Sequence, residues 1–281
     1  PDRLNPIPPF LRGFAFEGTG MGFGARTLLG LSRPEEFGAM MKAVGSGHLY
    51  QYFVGLGWWL DLRYGLDLER WAPWLALLPP LYSPIAYDGA GFRMGIFRPT
   101  EQPDKHPAYA SLSAEGRAGL FQGYGRAHWF RSHGLTKQLQ QTAATVPSVH
   151  RADFLSGIGL AAAYSRLDDP SVALRLPTTF GEADRWALWQ GIAFGWEARE
   201  LQDPALFAEL LARQPEAARI APLLRDAVHA TRPEASVKPA PYSAWLNAAR
   251  TRLAAEERIQ PLPPEEEERP CSTVAAGSNH S

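Results

Sequence analysis

A five-residue pattern recurs along the chain at a nearly fixed interval, and this constrains the fold more than any other feature. It consists of an aromatic residue or leucine, a usually polar residue, and then Gly-x-small: FEGTG, FVGLG, YDGAG, FQGYG, LSGIG and WQGIA. The first glycines are Gly18, Gly55, Gly89, Gly123, Gly157 and Gly191, at spacings of 37, 34, 34, 34 and 34. Two sets of residues that did not define the period keep the same register. Arginine stands six positions before the glycine in Arg12, Arg117, Arg151 and Arg185, and proline 24 positions after it in Pro79, Pro147 and Pro215. An internal repeat of this length is the signature of a helical-hairpin unit.

Each unit reads as a first helix carrying the glycines, such as ADFLSGIGLAAAYS, followed by a second ended by proline, such as LTKQLQQTAATV. Glycine in a helix interior costs about 1 kcal/mol relative to alanine, so its recurrence needs a recurring gain. Close approach of a neighbouring helix backbone supplies one. The expected fold is therefore all-α: about six helical hairpins on a 34-residue period over residues 10–258. They would stack as an α-solenoid-like superhelix or close into an α/α toroid. The construction is similar to tetratricopeptide units, without their Trp-Leu-Gly-Tyr spacing. IAPLLRDAVHAT, near 220–231, is a candidate seventh first helix without the glycines, as an end cap.

Residues 1–9, with four prolines, read as irregular, and residues 259–281 read as a disordered acidic and polar tail. The chain starts on proline, which fits a missing native start. Its net charge of −1 gives no footprint for nucleic acid. No run of 18 apolar residues exists to span a membrane. The one cysteine, Cys271, excludes a disulfide framework and fits a reducing, cytoplasmic setting. No metal site is expected, since the histidines show no i,i+4 pairing, and nothing calls for a cofactor. GTGMGFG at 18–24 has the glycines of a dinucleotide fingerprint but sits inside a helical repeat, where that motif needs a preceding strand.

In a repeat, one register maps to one surface stripe. The position before the glycine holds Glu17, Val54, Asp88, Gln122, Ser156 and Gln190, and four residues later stand Met21, Trp58, Phe92, Arg126, Leu160 and Phe194. Together they describe an apolar, aromatic surface with sparse polar groups, suited to an elongated apolar ligand. The competing reading is that the polar residues satisfy one another between hairpins. Candidate acid–base groups are Glu17, Asp88, Arg126 and His128, and candidate ligand contacts are Gln122, Gln190, Trp58, Trp59, Phe92 and Phe194. The arginine ladder is expected to pair with carboxylates such as Asp153 or Asp184, and Arg93 to stack on Trp59. Whether any reaction occurs is open at this level.

The blocks RGFAFEGTGMGFG, YQYFVGLGWWL, YDGAGFRMGIFRP, GLFQGYGRAHWF, RADFLSGIGLAAAY and LWQGIAFGWEAR resemble a family of uncharacterised bacterial proteins found in enediyne polyketide gene clusters. The most specific are GFxxGxFxP at Gly91–Pro99 and QGxGRxxWF at Gln122–Phe130, and the likeness covers roughly residues 10–250. Members usually carry a further basic N-terminal segment. The resemblance implies a place in secondary metabolism beside a polyene-forming polyketide synthase. Two expectations follow. The protein binds or processes a long apolar polyene- or enediyne-type intermediate, or it is a non-enzymatic helical-repeat scaffold for a biosynthetic partner protein.

Overall fold

A computed structural model describes residues 6–31, 33, 35–44, 46–233 and 242–263. Thirteen α-helices and no strand occur among the described residues. The six glycine patterns fall on α1 (Arg12–Leu28), α3 (Leu49–Tyr64), α5 (Ile85–Phe97), α6 (Ala114–Arg131), α8 (Ser148–Ser165) and α10 (Glu182–Gln202). Shorter helices follow five of these: α2 (Glu36–Val44), α4 (Leu68–Leu75), α7 (Thr136–Thr145), α9 (Ser171–Thr179) and α11 (Pro204–Ala212). After α5 there is instead a connection with two 3-10 turns, Pro103–Lys105 and Pro107–Ser111. The candidate end cap is α12 (Pro215–Thr231), and α13 (Tyr242–Ala254) comes last.

Local chemistry sets the helix ends. The Asp67, Ser113 and Asp203 side chains accept from the backbone N–H groups of Arg70, Gly116 and Leu206, capping α4, α6 and α11. Two of the 34-residue prolines mark the start of the following helix, Pro147 just before α8 and Pro215 at the first position of α12, where a missing N–H costs nothing.

The glycine helices pack side by side in chain order, α1 on α3, α3 on α5, α5 on α6, α6 on α8 and α8 on α10. The glycines explain the closeness. A Cβ added at Gly123 would overlap the Asp88 carbonyl oxygen, and one at Gly125 that of Phe154. The same contact recurs down the row. The first glycine faces the carbonyl before the preceding copy's glycine, and the second faces a carbonyl of the following helix. Gly18, in the first copy, has nothing within 4 Å of its Cβ position among the described residues.

The row's two ends also touch. Arg199 on α10 donates from Nη1 to the Phe10 carbonyl at 2.8 Å, and Gln51 on α3 donates to the Tyr164 hydroxyl of α8 at 3.2 Å. α6 is buried on nearly every side, because α5, α8, α7 and α13 all contact it. Six of the nine tryptophans are buried: Trp71, Trp74, Trp129, Trp189, Trp196 and Trp245. Each such ring removes large apolar area from water.

The chain beyond α13 still touches the helices. Ile259 is 3% exposed and the Leu262 N–H donates to the Leu174 carbonyl, so two apolar residues anchor the first part of the expected tail. Residues 264–281, with Cys271, fall outside the described residues, as do 1–5.

Candidate functional site

Four of the six residues that stand before a first glycine converge on one space. Glu17, Val54, Asp88 and Gln122 all line one cavity, joined by Arg126, Leu160 and Phe194 from the position four residues on. The free space enclosed by these walls is about 70 Å³, narrower than the roughly 300–1,000 Å³ of typical small-molecule sites. The remaining wall comes from Tyr50, Gln51, Ile85, Tyr164 and Glu197, and from Tyr242 and Trp245 of α13.

A chain of polar contacts crosses this chamber. The Tyr242 hydroxyl donates to Gln122 Oε1 at 3.1 Å, and Gln122 in turn hydrogen-bonds Asp88. Arg126 donates from Nη1 to Asp88 Oδ1, and its Nη2 reaches Glu17 Oε2 at the longer distance of 3.4 Å. The Asp88 side chain is 2% exposed, Arg126 10% and Glu17 15%. Burial pushes the Glu17 and Asp88 carboxyls above their ordinary range, opposed in both by Arg126 and, at Asp88, also by the bond to Gln122. Burial works against the Arg126 charge, but Asp88 and Glu17 outweigh it and hold the guanidinium protonated. Elsewhere on the wall Glu197 pairs with Arg232, which also lies over the Trp245 ring. The Tyr164 hydroxyl, pushed up to about 12 by burial, donates to Gln202 at 2.8 Å. The chamber thus combines a mostly apolar wall with one ordered ionic cluster.

Other sequence-selected residues lie elsewhere. Trp58 and Phe92 pack on each other, with ring centroids 5.6 Å apart, and neither lines the chamber, although Arg126 covers the Phe92 ring. Trp59 backs onto Gly24. Arg93 does not stack on it but pairs with Asp61, because that buried carboxylate is a stronger partner than an indole face. Gln190 is fully buried and accepts from Arg250 at 3.2 Å. His128 is buried between Tyr124 and Phe154, apart from the Glu17–Arg126–Asp88 cluster, and burial lowers its pKa to about 4.

The arginine register divides. Arg151 pairs with Asp184 at 2.7 Å, whereas Arg185 turns to Glu182, Arg117 to the Ala110 carbonyl and Arg12 to the Ile7 carbonyl. Asp153 is taken by Arg250 of α13. GTGMGFG lies inside α1, not at the turn between a strand and a helix that a dinucleotide fingerprint occupies. Among the described residues no three His, Cys, Asp or Glu side chains are grouped to hold a metal, and no helix is long and apolar enough to cross a membrane.

Gln51, Tyr164, Tyr242 and Trp245 are wall residues that the repeat pattern does not single out. Gln51 and Tyr164 lie on the same helical stripe, about a turn or two from the position before the glycine, so the register carries a signal for them. Tyr242 and Trp245 sit on a helix outside the repeat, and nothing periodic points to them.

A family model described as "Protein of unknown function (DUF1702)" matches residues 1–251, and the chain belongs to that family. No curated protein and no solved structure matches the chain.

Proposed function

For a member of a family without an assigned activity the site must carry the argument, and we propose that this protein binds an elongated apolar small molecule in the chamber between its glycine helices. The observation that carries the reading is the convergence of one repeat register, Glu17, Val54, Asp88 and Gln122, on a single mostly apolar cavity. The polar members also satisfy one another between helices, Arg126 with Asp88 and Glu17 and Gln122 with Tyr242, and the space they share is walled mostly by apolar side chains. The Arg126 cluster would orient the ligand's polar end, and Leu160, Phe194 and Trp245 would flank its chain. We further read the row as hairpin units that curve back on themselves, because Phe10 and Gln51 reach α10 and α8. Such a closed row holds a ligand inside rather than along a groove. The resemblance to proteins of enediyne polyketide clusters supports a polyene-type intermediate as that ligand, bound or processed within secondary metabolism.

A linear conjugated tetraene tests this, because its absorption overlaps tryptophan emission and Trp245 lines the chamber. Parinaryl alcohol should quench tryptophan emission and gain fluorescence of its own on binding. Val54→Trp and Leu160→Trp, which fill the chamber, should abolish both signals while circular dichroism stays unchanged. Absence of binding to the wild-type chain would refute the proposal. So would binding that survives both substitutions, since the ligand would then lie elsewhere.

A further inference from the structure

The chamber's carboxyl groups are unevenly paired. Its wall carries Glu17, Asp88 and Glu197. Arg126 reaches the first two, and Arg232 and His229 reach Glu197. The remaining nearby guanidinium, Arg199, is turned to the Phe10 and Tyr164 carbonyls. A carboxylate without a close partner in an apolar enclosure is costly, and the simplest relief is a proton. The contacts show where it sits. Glu197 has Arg232. Asp88 accepts from Arg126 Nη1 and hydrogen-bonds Gln122, whose oxygen is in turn taken by Tyr242. Glu17 has only the 3.4 Å contact from Arg126 Nη2, near the outer limit of a hydrogen bond.

We infer that Glu17 is a neutral carboxylic acid that donates a hydrogen bond into the chamber, so that the site selects apolar chains ending in a neutral oxygen, an aldehyde, ketone or alcohol, and rejects carboxylates. The inference rests on the ligand-binding reading above and specifies its polar end. A carboxyl kept neutral by an apolar site can donate to an oxygen, whereas an ionised one can only accept. A ligand oxygen placed between Glu17 and Arg126 would receive donors from both. A ligand carboxylate would meet Asp88 and Glu197 across the same enclosure, and only one further guanidinium lies close, Arg199, which stacks on Tyr164 with its Nη1 and Nε donating to the Phe10 and Tyr164 carbonyls. The groups facing Glu17 are Arg126 on α6, Asp88 on α5 and Tyr164 on α8, with Gln51 of α3 on the same wall and His48 stacked on neighbouring Phe16.

Three tetraenes with the same chain and different ends form the test: parinaryl alcohol, parinaraldehyde and parinarate, titrated into the full chain at pH 7. The alcohol and aldehyde should bind at least about tenfold more tightly than the carboxylate, the scale set by one charge-assisted hydrogen bond. Raising the pH until Glu17 ionises should weaken binding of the aldehyde, which can only accept, in the wild type by a similar factor, while the alcohol, which can also donate, is less affected. Glu17→Gln keeps a donor without a titrating proton and should bind the aldehyde with no such pH dependence. Equal affinity for parinarate and the alcohol would overturn the inference while leaving the chamber as the binding site. So would a pH dependence that persists in Glu17→Gln. Failure of all three tetraenes to bind would overturn the chamber reading itself, and this inference with it.

Discussion

Adding one methyl group to the same motif in two places should have opposite effects. Gly123 and Gly18 occupy equivalent positions, but their surroundings differ. A Cβ at Gly123 would stand 2.8 Å from the Asp88 Cα and overlap its carbonyl oxygen, while one at Gly18 meets nothing within 4 Å. The carbonyl oxygen is nearer still, and non-bonded atoms pack favourably only at about 3.5–4.0 Å, so α5 and α6 would have to separate by more than an ångström. The obstructing atoms are backbone and cannot rotate away. Overpacking of this kind costs roughly 1–3 kcal/mol or more, against about 1 kcal/mol gained from alanine's higher helix propensity. Gly123→Ala should therefore destabilise by about 1–2 kcal/mol, while Gly18→Ala should stabilise by about 0.5–1 kcal/mol. Each kcal/mol moves the melting midpoint of a chain this size by about 2–4 °C, so calorimetry separates the two variants clearly. Gly123→Ala should also weaken tetraene binding, because it displaces the residue whose side chain anchors Arg126. A Gly123→Ala variant as stable as Gly18→Ala would refute the view that the glycines exist for backbone approach.

Two further expectations concern buried charge. Asp88→Asn breaks the main pair of a buried arginine and should cost about 3 kcal/mol in urea unfolding, the lower end for such losses because Glu17 can then ionise to serve Arg126. An unchanged midpoint would remove Asp88 as the anchor of that cluster. His128 has its folded pKa lowered to about 4 by burial, with Arg131 adding to the effect, against an ordinary value of 6.5. The unfolded chain therefore takes up its proton first as pH falls. His128 contributes no penalty above pH 6.5 and a growing one down to about pH 4, on the order of 2–3 kcal/mol. His128→Gln should flatten that part of the stability-against-pH curve, and His48, also lowered to about 4, should retain the rest. A curve unchanged by the substitution would show that His128 is not held neutral by its surroundings.

The all-helical class and the close contacts of the glycine helices were legible because the glycine cost recurs with a fixed interval, and approach of neighbouring backbones compensates it. That interval also located Glu17, Val54, Asp88 and Gln122 on one wall, since equivalent positions in packed units face equivalent directions. Trp58 and Phe92 share a register with Arg126 but do not line the chamber, packing on each other at a tilt. Register assigns a direction, not a partner, so it also missed that Asp61 draws Arg93 away from Trp59. The contribution of α13 was invisible for a different reason. Its Tyr242 and Trp245 reach the chamber through a non-repeating helix, and long-range return of a chain end leaves no local pattern to read.

The paired glycine contacts restrict how a chain of this kind can change length. A residue inserted within a glycine helix turns everything beyond it by about 100°, which carries both glycines off their opposing carbonyls at once. Insertions are tolerable only between helices, and the molecule already contains one. Gly18 and Gly55 are three residues further apart than the other pairs, yet Gly55 still faces the Glu17 carbonyl and Gly20 still faces Tyr52. The extra residues are absorbed in the connection through α2, outside the contact surfaces. Connectors can stretch, but the glycine helices that form the wall must keep their phase.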